Sequence, residues 1–117
     1  MTALRRLSSL STQPTAILRS NDMMAIGVVV QAYECGIAVP QELSVIGFDD
    51  IRLAQFTIPP LTTVRMSQTE LATLAFKALL DDAMHAENSV GTREYVLTTN
   101  LALRRSTALA PSGPRFP

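Results

Sequence analysis

Apolar positions along this chain fall into short blocks separated by polar clusters. Thr15-Ala16-Ile17-Leu18 is one block, Val45-Ile46 with Phe48 across Gly47 a second, and Thr62-Thr63-Val64-Arg65 a third. Short apolar and β-branched runs bounded by turn formers predict strands. Tyr95-Val96-Leu97 and Leu101-Ala102-Leu103 are two further strand candidates.

Other blocks repeat at helical spacing. Ala3, Leu4, Leu7 and Leu10 predict a short helix over 2–10, which Pro14 ends. A second helix runs from about Asp22 to Cys35, with Ser20 or Asn21 as its cap, Asp22 in its first turn and Gly36 just past its end. Val and Ile also favour a strand over 26–30, but the cap and the terminal glycine bracket a helix. Met23 to Val30 is apolar all round, so this helix is expected to be covered on both sides. Ser67-x-x-Glu70 is a capping box opening a helix to about Ala86, with Leu71, Leu74, Ala78 and Leu79 on one face. His85 falls in its last turn, where a cation suits the helix dipole. Asp50 to Gln55 is expected to make one helical turn, Ile58-Pro59-Pro60-Leu61 an extended linker and Asn88 to Thr92 a loop. Helices alternating with strands predict an α/β fold with a parallel sheet.

Composition narrows the functional classes. The chain has 117 residues, 47% of them hydrophobic and 17% charged, which suits one globular domain or part of one. Ten basic and ten acidic residues cancel, so the basic face of a DNA-binding module is absent. Cys35 is the single cysteine, with no cationic neighbour to activate it, and is assigned a structural role. A lone cysteine suits a reducing, cytoplasmic setting. No run is long enough to span a membrane, and the start lacks a secretory signal.

The candidate chemistry lies where strands end. Asn21-Asp22 follow the first strand and Asp49-Asp50 follow the second. In an open parallel sheet, ligands bind outside the carboxyl ends of the strands. Carboxylate and amide groups there either hold a polar ligand or cap the next helix, and Asn21 can do both. An acid–base pair at Asp49 and Asp50 is disfavoured, because neighbours on an extended chain point to opposite sides. No nucleophile or metal set accompanies them.

Several ordered motifs carry a resemblance: Pro14-Thr15-Ala16-Ile17, Ser20-Asn21-Asp22-Met23-Met24-Ala25-Ile26-Gly27, Gly36-Ile37-x-Val39-Pro40, Leu43-Ser44-Val45-Ile46-Gly47-Phe48-Asp49-Asp50, Pro59-Pro60-Leu61-Thr62-Thr63-Val64-Arg65 and Arg104-Arg105-Ser106-Thr107. Together they resemble the LacI-type bacterial transcription regulators, over nearly the whole chain. The resemblance implies a periplasmic-binding-protein-like (type I) lobe, incomplete, spanning residues 1–109, with 110–117 a disordered tail. It implies the later part of an effector-binding core, without helix-turn-helix, hinge or first lobe. DNA would then be reached only through a missing N-terminal domain.

By the same resemblance, Asp49 and Asn21 are effector contacts, and the effector is a sugar or a related small polar molecule. Asp50 and Asp22 fall to loop and cap roles. Met66 stands where the family often has Gln, so no polar contact is implied there. Ile26, Val30 and Tyr33 on the second helix would meet Phe56 and Thr57 across a homodimer, or a dimer with a related regulator. The helix over 67–86 would lie on the absent lobe, leaving its apolar face open. No cofactor, metal or membrane partner is implied, and an enzyme is not. The competing reading is an interaction module that pairs with full-length relatives.

Overall fold

All three apolar blocks that end in polar clusters become neighbouring strands. The computed structural model describes residues 3–84 and 94–112. Strands β1 (Ala16–Leu18), β2 (Ser44–Phe48), β3 (Thr62–Arg65) and β4 (Asn100–Ala102) form one sheet in the order β1-β2-β3-β4. β1 runs parallel to β2, with Leu18 opposite Ile46, and β2 runs parallel to β3, with Phe48 opposite Val64. This is the α/β class with a parallel sheet that the alternation of elements requires.

Helix α2 (Asp22–Glu34) connects β1 to β2 and packs on β2. Its buried apolar positions, Ala25, Val29 and Ala32, are spaced four and three apart and make one stripe. Opposite them lie Leu43, Val45 and Leu61, all fully buried. Each such side chain contributes roughly 1.5–3 kcal/mol by leaving water. The small residues on α2 let helix and sheet approach closely. A strand over 26–30 would have lost that stripe, which is why the helical reading prevails. Leu4, on the short helix α1 (Ala3–Ser8), joins the same core. Gly36, at φ 72°, ends the α2 turn in a conformation that side-chain-bearing residues avoid.

On α2 the sheet-facing stripe is buried, while Met23, Met24, Val30 and Tyr33 are exposed in the single chain. One expectation needs correction. Residues 95–97 are not a strand: Tyr95 and Val96 are exposed, and the strand beside β3 is Asn100–Ala102 instead. A short apolar run makes a strand only where a sheet edge is free to pair with it.

The chain divides into two compact units, residues 1–65 with 101–117, and residues 66–100. In the first, residues 104–108 are stitched to the starts of β2 and β3. Ser106 is buried; its hydroxyl donates to the Val45 carbonyl (2.6 Å) and accepts from the Thr62 amide (2.8 Å). Ser44 and Ala108 exchange two further bonds. In the second unit, helix α3 (Gln68–Met84) starts where the capping motif placed it, with the Glu70 amide donating to Ser67 Oγ (3.2 Å). None of its residues is buried, and Leu71 and Leu79 are exposed. Leu74 and Leu97 line a hollow of about 300 Å³ with Thr73 and Lys77. His85 and the loop over 88–92 lie outside the described residues, as does 113–117 of the tail. No helix among the described residues is long and apolar enough to cross a membrane.

Candidate functional site

The parallel register brings the two polar clusters to one edge. Leu18 and Ile46 are paired, and Asn21 and Asp49 each lie three positions beyond them, at the carboxyl ends of adjacent strands. Asn21 caps α2: its backbone is extended, and its Oδ1 accepts from the Met24 amide (2.8 Å). Its Nδ2 makes no hydrogen bond among the described residues. Asp49 is half-buried, and its amide donates to the Val64 carbonyl (2.9 Å). Its carboxylate has no partner among the described residues.

Asp22 does more than sit in a helix first turn. It is fully buried, and its Oδ1 accepts from the Thr63 hydroxyl (2.5 Å) while Oδ2 accepts from the Ile51 amide (2.8 Å). The carboxylate thus ties α2 to β3 and to the loop after β2. Gly47 makes room for it, because a Cβ there would run into Asp22 Oδ1 and press on Leu61. In sequence Asp22 looks like an ordinary dipole partner, and only the glycine beside it in space explains its burial.

The role of Asp50 is likewise larger than a loop residue's. Arg104 Nη2 donates to its Oδ1 and Arg65 Nε to its Oδ2, both at 2.5 Å. Arg104 Nη1 also donates to the Leu61 carbonyl (2.8 Å), and the Asp50 amide donates to Thr63 Oγ1 (3.3 Å). The carboxylate is only 11% exposed. Burial alone would raise its pKa, but the hydrogen bonds and charges of Arg104 and Arg65 outweigh it and hold the group below the ordinary carboxylate range. Asp49 and Asp50 both have positive φ, 106° and 51°. Side-chain-bearing residues take such conformations at a cost of about 1–2 kcal/mol each. Arg19, the first residue past β1, is a further group that carries no signal in sequence: its Nε is buried and has no hydrogen-bond partner among the described residues.

The proposed contact surface is placed less uniformly. Val30, Tyr33 and Phe56 are exposed, whereas Ile26 is half-buried against the chain's own core. The Thr57 hydroxyl is engaged internally, donating toward the Ala54 and Pro59 carbonyls. Tyr33 (86% exposed) and Ile58 (92%) line one hollow of about 240 Å³ with Val29, Ile37, Val39 and Pro59. In sequence Ile58 reads only as linker. Its β-branched, apolar character next to two prolines was the available signal.

Comparison with known proteins places the fold in a family. Residues 1–107 match the periplasmic binding protein-like domain. The chain is 39% identical over 109 residues to the HTH-type transcriptional repressor CytR of Escherichia coli (strain K12), covering 93% of this chain and 31% of that protein. It is similar in structure to a LacI family transcriptional regulator from Lactobacillus casei with bound sucrose (TM-score 0.68, 28% identity, 88% of this chain and 38% of that one). It is also similar to the lac repressor dimer bound to operator and the anti-inducer ONPF (TM-score 0.69, 33% identity, 80% and 32%). The chain therefore spans about a third of the length of the repressors it resembles. With a parallel sheet, polar clusters at one carboxyl edge and this match over residues 1–107, the chain belongs to the periplasmic binding protein-like family, in the form of the effector domain of LacI-type regulators.

Proposed function

We propose that this chain is the effector-sensing and dimer-forming part of a LacI-type transcription regulator acting in the cytoplasm. The observation that carries the reading is the pairing of functions at one sheet edge. Among the described residues the Asp49 carboxylate is an unengaged acceptor, and Asn21, its oxygen used by the cap, keeps an unpaired amide donor. A sugar hydroxyl both donates and accepts, so a polyhydroxylated effector satisfies both groups. The sucrose in the Lactobacillus casei regulator supports that chemistry for this chain. Asp50 supplies no acid–base partner to Asp49, since both of its oxygens are held by arginines, so a non-catalytic role is the better fit. DNA reading would fall to another domain.

Dimerisation is assigned to the open side of α2, through Val30 and Tyr33 with Ile26 beneath, and to Phe56 and Thr57. The lac repressor, to which the chain is similar, is a dimer, which supports pairing of this chain. A second reading, an interaction module for related regulators, draws on the exposed hollow at Tyr33 and Ile58.

The test is titration of the isotope-labelled chain with sucrose, glucose and other neutral sugars, followed by NMR. Shifts centred on Asn21 and Asp49, with affinity lowered about 1–3 kcal/mol by Asp49→Ala, are expected. Sugar binding that ignores Asp49→Ala overturns the site. Partner capture without any sugar response favours the second reading.

A further inference from the structure

Two consecutive residues with positive φ, Asp49 and Asp50, stand at the candidate effector edge. Neither is glycine, so surrounding bonds must hold them there. Among the described residues the bonds on Asp49 itself are few: its amide donates to the Val64 carbonyl, and its carboxylate has no partner. Those on Asp50 are many. Arg104 and Arg65 take one carboxylate oxygen each, Thr63 Oγ1 takes the amide, and Arg104 is itself anchored on the Leu61 carbonyl.

We propose that Asp50, gripped between Arg104 and Arg65, is a positioning residue that locks Asp49 in its left-handed conformation and so presents the Asp49 carboxylate at the sheet edge. The inference rests on reading Asp49 as an effector contact. The physical reason is that charge-assisted hydrogen bonds on one residue can offset the backbone strain of two. Released from the arginines, the Asp49–Asp50 pair relaxes toward extended backbone, where successive side chains alternate and the Asp49 carboxylate turns from its present direction. The clamp also joins the edge to the segment after β4, because Arg104 N donates to Thr62 Oγ1 and the neighbouring Ser106 is stapled to β2 and β3. An effector seated on Asp49 then favours the clamped arrangement, and the clamp favours the effector by the same factor.

The experiment needs no effector. The labelled chain and its Asp50→Ala, Arg104→Met and Arg65→Met variants are compared by the three-bond HN–Hα coupling and Cα shift of Asp49. The expected result in Asp50→Ala and Arg104→Met is a move of Asp49 from left-handed to extended values, with Val45 and Leu61 unchanged. Arg65→Met, which removes one exposed arm of the clamp, gives a smaller move in the same direction; Arg104→Lys restores part of the left-handed signal. Asp49 keeping its left-handed values in a folded Asp50→Ala chain overturns the proposal. If Asp50→Ala and Arg104→Met do not fold, Arg65→Met decides: unchanged Asp49 values overturn the proposal and a shift supports it. Failure of the effector reading looks different. There the sugars leave Asp49 untouched while the clamp variants still move it.

Discussion

The Thr63 hydroxyl donates to Asp22 Oδ1 across 2.5 Å, joining the first turn of α2 to β3 inside the fold. The same Thr63 oxygen accepts from the Asp50 amide, and the other Asp22 oxygen accepts from the Ile51 amide. One buried carboxylate therefore shapes the loop that carries Asp49. Asp22→Ala is expected to destabilise the chain by about 1–3 kcal/mol for each buried partner left unpaired. Asp22→Asn, which keeps one acceptor oxygen, should cost less. Urea unfolding of the two variants beside the parent chain checks the order.

Gly47→Ala tests the same spot from the other side. The added methyl meets Asp22 Oδ1 and the Leu61 side chain, both of them fully buried, so one or the other must shift. A loss of about 1–3 kcal/mol from overpacking is expected. A Gly47→Ala chain as stable as the parent would show that Asp22 is not held where the glycine leaves space.

Ser106 bridges two strands with one hydroxyl, between the Val45 carbonyl and the Thr62 amide. Ser106→Ala leaves that buried amide without an acceptor and should lower stability by about 1–3 kcal/mol. Hydrogen exchange at Thr62 should rise with it, which distinguishes a local opening from a general loss.

Acid weakens the clamp on Asp50. Its pKa is depressed in the folded chain, so its contribution to stability is fully present above the unfolded carboxylate value, roughly 3.9. That contribution is lost as pH falls through the lower folded value. Unfolding midpoints should therefore fall below about pH 4, and Asp50→Asn should flatten that part of the profile. The same pH dependence in parent and variant would assign the acid sensitivity elsewhere.

Association should respond to the exposed side of α2. Tyr33→Asp changes a side chain that is almost wholly exposed, so the fold survives while an apolar contact is lost. Ile26→Asp is a poorer probe, since Ile26 leans on the chain's own core and its loss combines unfolding with dissociation. Light scattering should find dimers for the parent at micromolar concentration and a monomer for Tyr33→Asp. A parent chain that is monomeric at high concentration would rule this interface out.

The order of elements, the three parallel strands, the cap at Asn21 and the start of α3 were legible in sequence because each depends on neighbours in the chain. Alternation, spacing and capping are local properties, and they placed Asn21 and Asp49 at strand ends before any register was known. Family motifs supplied their proposed roles. What tertiary structure alone decided was the fate of the second residue in each polar pair. Asp22 and Asp50 resemble their neighbours in composition, yet one is buried by a glycine from the adjacent strand and the other is gripped by arginines from positions 65 and 104. The same holds for residues 95–97, where an apolar triplet found no strand to pair with. Such outcomes depend on which surfaces meet across the fold, and local pattern carries no record of that.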